Sequence, residues 1–249
     1  MIEISAHQSP INNQLAVTGS KSESNRLLLL NQLFENVLKL ENVSNSEDSQ
    51  LMQKALANQS DLIDIHHAGT AMRFLTAYYS IQNDRNITLT GSERMKQRPI
   101  KVLVDALNKL GAEISYQENE GFPPLQIKGK KITQDSITIP SNISSQYISA
   151  LCLIGTKLEN GLTINLDGKI ISVPYIQMTI QLLNRAGINA NFEGNTISIP
   201  FTASIQSQTI QVESDWSSAS YYYSLIALAK NSEIKISTYF EDSLQGGSA

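Results

Sequence analysis

Three helix openings recur at one spacing, and that spacing restricts the folds open to this chain more than any other feature. Thr70, Ser144 and Ser218 each stand at the start of an apolar run, each 74 residues after the last. Gly111 and Gly187, 76 residues apart, close two further helices that end in Leu107-Asn-Lys-Leu-Gly111 and Leu183-Asn-Arg-Ala-Gly187. A glycine just past the last periodic residue is the expected helix stop. A period this long exceeds that of a solenoid repeat. Each period has room for two helices and a set of short strands, enough for a compact layer. The expected fold class is therefore α+β (α/β-like), as one globular domain of three pseudo-repeated βαβαββ units. Such symmetry would gather Lys21, Thr70, Ser144 and Ser218 towards a common end.

The chain in order supports that division. Residues 2–5 and 14–17 alternate as short strands do, and a helix is expected over 22–40. Ser46 opens another helix with Leu51, Met52, Ala55 and Leu56 as its apolar face. The first round then runs as a strand at 62–65, a turn at 66–70, a helix over 71–79 and a strand at 87–90. Pro99 suits the first turn of the helix that stops at Gly111, and paired strands at 114–116 and 125–127 follow. The second round repeats this with strands at 136–139, 162–166, 188–192 and 196–199. Its helices open at Ser144 and Pro174. The third begins with a strand at 209–212, a helix that the stretch 213–219 opens and that runs to about 230, and a strand at 234–236.

The turn Gly19-Ser-Lys-Ser-Glu-Ser-Asn-Arg26 leads straight into Leu27–Leu30. Gly19 can make a tight turn there, and Ser20 or Ser22 can cap the helix. A new helix leaves its first N–H groups unpaired and partly positive, so such a turn can receive an anion. Lys21 and Arg26 add full charges. The stretch reads as a site for a phosphorylated or carboxylated small molecule; the alternative is an ordinary capped helix with solvated basic residues. Six arginines are present, and Arg26, Arg73, Arg94 and Arg98 fall in segments dense in Gly, Ser, Thr or Pro. Arginine held at turns favours fork-like recognition of carboxylate or phosphate.

Composition narrows the partners. Hydrophobic content of 41% with 17% charged residues describes a chain with a core. A net charge of −4 leaves no basic face for a nucleic-acid backbone, so no nucleic acid is expected. The single cysteine, Cys152, lies in an apolar run and is expected as a buried small hydrophobe. The first residues lack a signal-peptide pattern and no apolar run is long enough for a membrane span, so a cytoplasmic protein is expected. His66 and His67 resemble metal ligands, but adjacent histidines seldom converge on one ion and no carboxylate stands at ligand spacing. No metal is expected.

Six motifs in order resemble the enolpyruvyl transferases, and among them the 5-enolpyruvylshikimate-3-phosphate synthases. They are the Gly19–Arg26 turn, Ala68-Gly-Thr-Ala-Met-Arg73, Arg94-Met-Lys-Gln-Arg-Pro-Ile100, Ser144-Ser-Gln-Tyr-Ile-Ser-Ala150, Ser172-Val-Pro-Tyr-Ile176 and Asp215-Trp-Ser-Ser-Ala219. The resemblance implies transfer of the enolpyruvyl group of phosphoenolpyruvate to the 5-hydroxyl of shikimate 3-phosphate, in aromatic amino acid biosynthesis, with no cofactor. It implies that Lys21 contacts both substrates and is the catalytic proton-transfer candidate. Ser22 and Arg26 would hold the shikimate moiety, with Ser144, Ser145, Ser172 and Tyr175 on its phosphate side. Gln146 would lie between the substrates, and Gly69 and Arg94 would meet phosphoenolpyruvate. Outside such a family, Ser144 and Ser172 would be plain helix caps and Tyr175 a core residue. Arg73 and Arg98 are expected to tie helices to neighbouring carbonyls, and Asp215 to cap the third-round helix.

The resemblance also implies a two-domain enzyme with its site between the domains. Residues 17–240 would form the three-repeat domain that binds shikimate 3-phosphate, and 1–16 would belong to a second, carboxy-terminal domain missing here. Residues 241–249 would be an interdomain boundary or an artificial end. The chain would then be the substrate-binding half, inactive alone. His67, where the family commonly has Asn, is one departure; Ser214 and Trp216 beside Asp215 are others. Two other readings stay open: the related transferase acting on UDP-N-acetylglucosamine, and a non-catalytic binding module.

Overall fold

A computed structural model describes residues 10–246 of the chain; the strand expected at 2–5 and the last three residues lie outside them. The chain opens with β1 (Asn12–Ala16), α1 (Lys21–Leu33), β2 (Lys39–Glu41) and α2 (Glu47–Ala57). The first round is β3 (Leu62–Asp64), α3 (Gly69–Ser80), β4 (Asn86–Thr90), α4 (Lys101–Leu110), β5 (Glu113–Tyr116) and β6 (Leu125–Lys128). The second is β7 (Ser136–Pro140), α5 (Ser145–Gly155), β8 (Leu162–Asp167), α6 (Val173–Arg185), β9 (Asn191–Glu193) and β10 (Thr196–Ile199). The chain then runs through β11 (Thr209–Gln211), α7 (Trp216–Leu228) and β12 (Glu233–Ser237).

The repeat seen in the sequence is a repeat of topology. One four-stranded sheet has the order β3-β4-β6-β5 and the other β7-β8-β10-β9. In each, the first two strands are parallel across a crossover helix and the remaining pairs are antiparallel. The mixture of helices and sheets is the α+β class expected. The third round is shared between distant parts of the chain: β11 pairs with β2 and β12 pairs with β1, both parallel.

Helix composition explains the layering. All twelve residues of α3 are buried, and α5 is buried except for Gln146. Apart from Arg73 and Gln146 their sequences are apolar, aromatic or small, as a helix surrounded by other elements requires. By contrast, α4 buries Leu103, Val104, Ala106, Leu107 and Leu110 and exposes its polar face, so it lies outside the core. The apolar helix α7 behaves differently. Of its residues only Ala219 is buried, while Tyr221 is 74% and Leu228 88% exposed. The helical core formed by α1, α3 and α5 does not include it.

The shared Leu-Asn-x-x-Gly ends have a common job. Asn108 accepts from the Ile114 N–H at 3.0 Å and donates to the Ile114 carbonyl at 2.9 Å, tying the end of α4 to β5. Asn184 accepts from the Ala190 N–H at 2.9 Å at the end of α6. Gly111 and Gly187 sit at φ 107 and 89, where a Cβ would be strained. A third asparagine does the same in α1: Asn31 accepts from the Leu38 N–H at 2.8 Å and donates to its carbonyl at 3.1 Å. That tie is the reason α1 ends at Leu33 rather than near residue 40 as the apolar pattern suggested. The chain reverses through Glu35 and Asn36, both at positive φ, and Leu40 belongs to a strand.

Two smaller expectations change. Pro99 precedes α4 rather than entering its first turn, because Ile100 is the cap residue. Gly19 is required by close approach instead of turn geometry: a Cβ there would collide with the Asn42 carbonyl. No helix among the described residues is long and apolar enough to cross a membrane.

Replacing Asn108 with Ala removes two partly buried ties to the backbone, and Asn184→Ala removes one. We expect losses of about 2 and about 1 kcal/mol respectively in urea denaturation. Equal, negligible losses would mean that the shared motif does not hold these helix ends.

Candidate functional site

Five helix starts open on one cleft. Its volume is about 680 Å³, and it is lined by residues at or next to the openings of α1, α2, α3, α5 and α7. Thr70, Ser144 and Ser218 all line it together with Lys21, as the 74-residue spacing implied. The caps are built from side chains: Ser20 accepts from the Glu23 N–H, Ser46 from Ser49, Ser144 from Gln146 and Asp215 from Ser218. Capped helix starts and a ring of hydroxyls thus face one volume. That environment favours an anionic, hydroxylated ligand.

Of the residues singled out in the sequence, Lys21, Ser22, Arg26, Ser144, Ser145, Gln146 and Tyr175 line this cleft together. Gln146 reaches across to α3, its Nε2 donating to Thr70 Oγ1 at 3.1 Å. Lys21 Nζ lies 3.7 Å from Asp48 on α2. Tyr175 is 48% exposed, so it is a wall of the cleft and not a core residue.

Three residues lie elsewhere. Ser172 is exposed at a left-handed backbone position (φ 57) and makes no side-chain cap to α6, so the alternative of a plain helix cap is not what it forms. Gly69 is the buried first residue of α3, beside the lining Thr70. Any side chain there would collide with the Arg98 guanidinium. Arg94 is exposed ahead of a short 3-10 turn and is not among the lining residues. Arg73 has the structural part expected of it, donating from Nη1 to the Gly69 carbonyl at 2.7 Å. The β2–α2 loop was missed as a wall. Ser44, Asn45 and Ser46 line the cleft, and the cap at Ser46 was the signal.

Arg26 is 3% exposed. Its Nε donates to Thr179 Oγ1 at 2.7 Å on α6, and its Nη2 to Ser149 Oγ at 3.0 Å on α5. Its Nη1 returns to the Ser22 carbonyl at 2.8 Å in its own helix. Burial lowers its pKa to about 10, which leaves the guanidinium charged at neutral pH. Cys152 is fully buried, and burial pushes its thiol up to about 12. It is the small hydrophobe expected and not a nucleophile.

Behind the α1 cap lies a buried acid pair. Burial, and then the charge of Glu213, raise the Glu23 pKa from 4.5 to about 7. Glu213 itself accepts from Trp216 Nε1 at 2.8 Å and from Ser243 Oγ at 2.6 Å.

The same fold is found among solved structures. A structure described as EPSP synthase from Acinetobacter baumannii superposes with a TM-score of 0.76 at 20% identity, over 94% of this chain and 57% of that one. A family model described as EPSP synthase (3-phosphoshikimate 1-carboxyvinyltransferase) matches residues 53–249, so the chain belongs to that family. A 3-phosphoshikimate 1-carboxyvinyltransferase of Bacteroides fragilis (strain YCH46) is 46% identical over 240 residues. One of Colwellia psychrerythraea is 36% identical over 264 residues. These alignments cover 96% and 95% of this chain but 58% and 62% of the relatives. The chain thus spans about three fifths of their length.

Two predictions follow from the buried groups. Arg26→Ala should cost about 2–4 kcal/mol in urea denaturation, since it removes charge-assisted bonds between three helices and leaves a cavity. A loss below about 1 kcal/mol would show that these bonds do not tie the helices. Glu23 holds a proton when folded that it releases when unfolded between about pH 4.5 and 7. Stability should therefore fall as pH rises through that window, by about 3 kcal/mol from this group. Glu23→Gln should flatten the slope between pH 5 and 8; an unchanged slope would assign it to other groups.

Proposed function

We propose that this chain forms the shikimate-3-phosphate-binding half of a 3-phosphoshikimate 1-carboxyvinyltransferase. The observation that carries this reading is the gathering of Lys21, Arg26 and five helix starts on one hydroxyl-rich cleft. A hydroxylated ring carrying a phosphate, a carboxylate and two free hydroxyls needs fixed positive ends for its anions and short hydroxyl side chains for its ring. Ser144 and Ser145 hold the phosphate at the start of α5. Ser22, Tyr175 and the one N–H of Arg26 Nη1 not committed to the Ser22 carbonyl face the ring. Family membership and the relatives' names support the same assignment.

In the proposed reaction the 5-hydroxyl gives up its proton and adds to C2 of phosphoenolpyruvate while C3 takes a proton; C3 then loses a proton as the C2–O bond to phosphate breaks, which forms the enol ether and releases phosphate. Lys21 is the proton-transfer candidate on this half. Its ammonium also lies where it can neutralise both substrates, which lets two polyanions approach. Gln146, held by Thr70, keeps the substrates apart. Gly69 and Arg94 meet phosphoenolpyruvate once the cleft is completed, and Ser172 reaches the phosphate from the start of α6. The completing half is the portion by which the relatives are longer. It would also cover α7, whose bare tyrosines and leucines suit a helix inside a second domain seeded by β1, β12 and α7. The domain boundary on this reading falls near residue 212, ahead of the expected 240. The working compartment proposed is the cytoplasm.

Calorimetry with shikimate 3-phosphate tests this. The chain should give a saturable isotherm at up to millimolar ligand, weakened by about 1–3 kcal/mol in Lys21→Ala. UDP-N-acetylglucosamine should not compete. Absence of heat, or competition by the nucleotide sugar, would overturn the substrate assigned. Turnover should be missing from the chain alone and return when the completing half is added; a binding module would regain none.

A further inference from the structure

The loop from β3 into α3 brings two neighbouring histidines together in a way that their adjacency in sequence argues against. His66 adopts φ 48, a left-handed backbone held by its N–H donating to Asp64 Oδ1 at 2.7 Å. That kink turns both rings to one side. Their centroids are 4.9 Å apart, edge to face, and their Nδ1 atoms 2.6 Å apart. A carboxylate arrives from a different element. Glu47, in the first turn of α2, sets Oε2 3.5 Å from His67 Nε2. One donor atom from each of the three residues lies within 4.8 Å of the others. His66 and Glu47 are exposed and His67 is partly so, which gives an ion free entry.

We propose that Glu47, His66 and His67 form a binding site for a divalent transition metal, Zn²⁺ foremost, that joins the start of α2 to the loop entering α3. Two imidazoles and one carboxylate form a borderline donor set. It suits Zn²⁺ with a water as fourth ligand, and it is too poor in oxygen for Mg²⁺ or Ca²⁺. Ligand bonds of about 2.0–2.1 Å put tetrahedral ligand atoms about 3.4 Å apart. The His67–Glu47 separation already matches such an edge, and rotation of the exposed His66 ring supplies the third corner. The site sits at the rim of the cleft, because Ser46 and Thr70, close in sequence to Glu47 and His67, both line it. A bound ion would fix the spacing of those two walls.

The test is calorimetry of the full chain with ZnCl₂ in a non-coordinating buffer after removal of trace metal, with a parallel thermal melt. One ion per chain should bind at micromolar concentration and raise the melting temperature, while millimolar MgCl₂ gives neither effect. His67→Asn and Glu47→Gln should each weaken Zn²⁺ binding tenfold or more, with metal-free melting unchanged. Co²⁺ in place of Zn²⁺ should give the intense visible bands of a four-coordinate ion. Stoichiometric binding that survives in the His66→Ala, His67→Asn double variant would overturn the proposal, as would an affinity indifferent to Glu47→Gln. So would the absence of heat from the unaltered chain at millimolar Zn²⁺.

Discussion

The arrangement of the helical core rests on one buried cation. Arg26 projects from α1 between α5 and α6 and forms no salt bridge among the described residues. Its charge is carried by two hydroxyls and two carbonyls spread over α1, α5 and α6. An unpaired buried charge is costly unless its donors are all engaged in good geometry. The packing of α1 against its neighbours must therefore place Ser149, Thr179 and the Ser22 carbonyl within hydrogen-bond reach at once. That requirement positions the start of α1, and with it Lys21, against the start of α5. The cleft inherits its shape from the arginine behind it.

Much of this was legible in sequence because it depends on local rules. Helix caps, glycine stops and the 74-residue spacing are read from neighbouring residues, and they located the convergence of Lys21, Thr70, Ser144 and Ser218. Non-local features were less legible. The end of α1 was misplaced because Leu38 and Leu40 continue an apolar pattern that Asn31 interrupts from seven residues away. Ser172 could pass for a plain cap ahead of the helix opened by Pro174, yet its backbone is left-handed and it makes no side-chain cap bond. The Glu47 contact to His67 spans two elements, so no spacing rule could reveal it.

The same distinction separates the two substrates in the proposed reading. Residues expected at shikimate 3-phosphate mostly lie together on the described cleft. Those expected at phosphoenolpyruvate alone, Gly69 and Arg94, stand beside it, while Lys21 and Gln146, expected at both substrates, line it. An unshared site would bring both sets together within this chain. A cleft built from two halves leaves the second set waiting for its opposing wall, consistent with a chain covering about three fifths of its relatives.

The parallel pairing of β1 with β12 has a consequence for how the chain is made. Asn12 is in register with Glu233, so β1 emerges from the ribosome long before its neighbour exists. At about 5–20 residues per second, the wait is about 10–45 seconds. For that time the strand offers unsatisfied backbone groups to any passing edge. Its sequence, Asn-Asn-Gln-Leu-Ala, is polar for most of its length. A polar strand with little to gain from premature pairing is well suited to waiting.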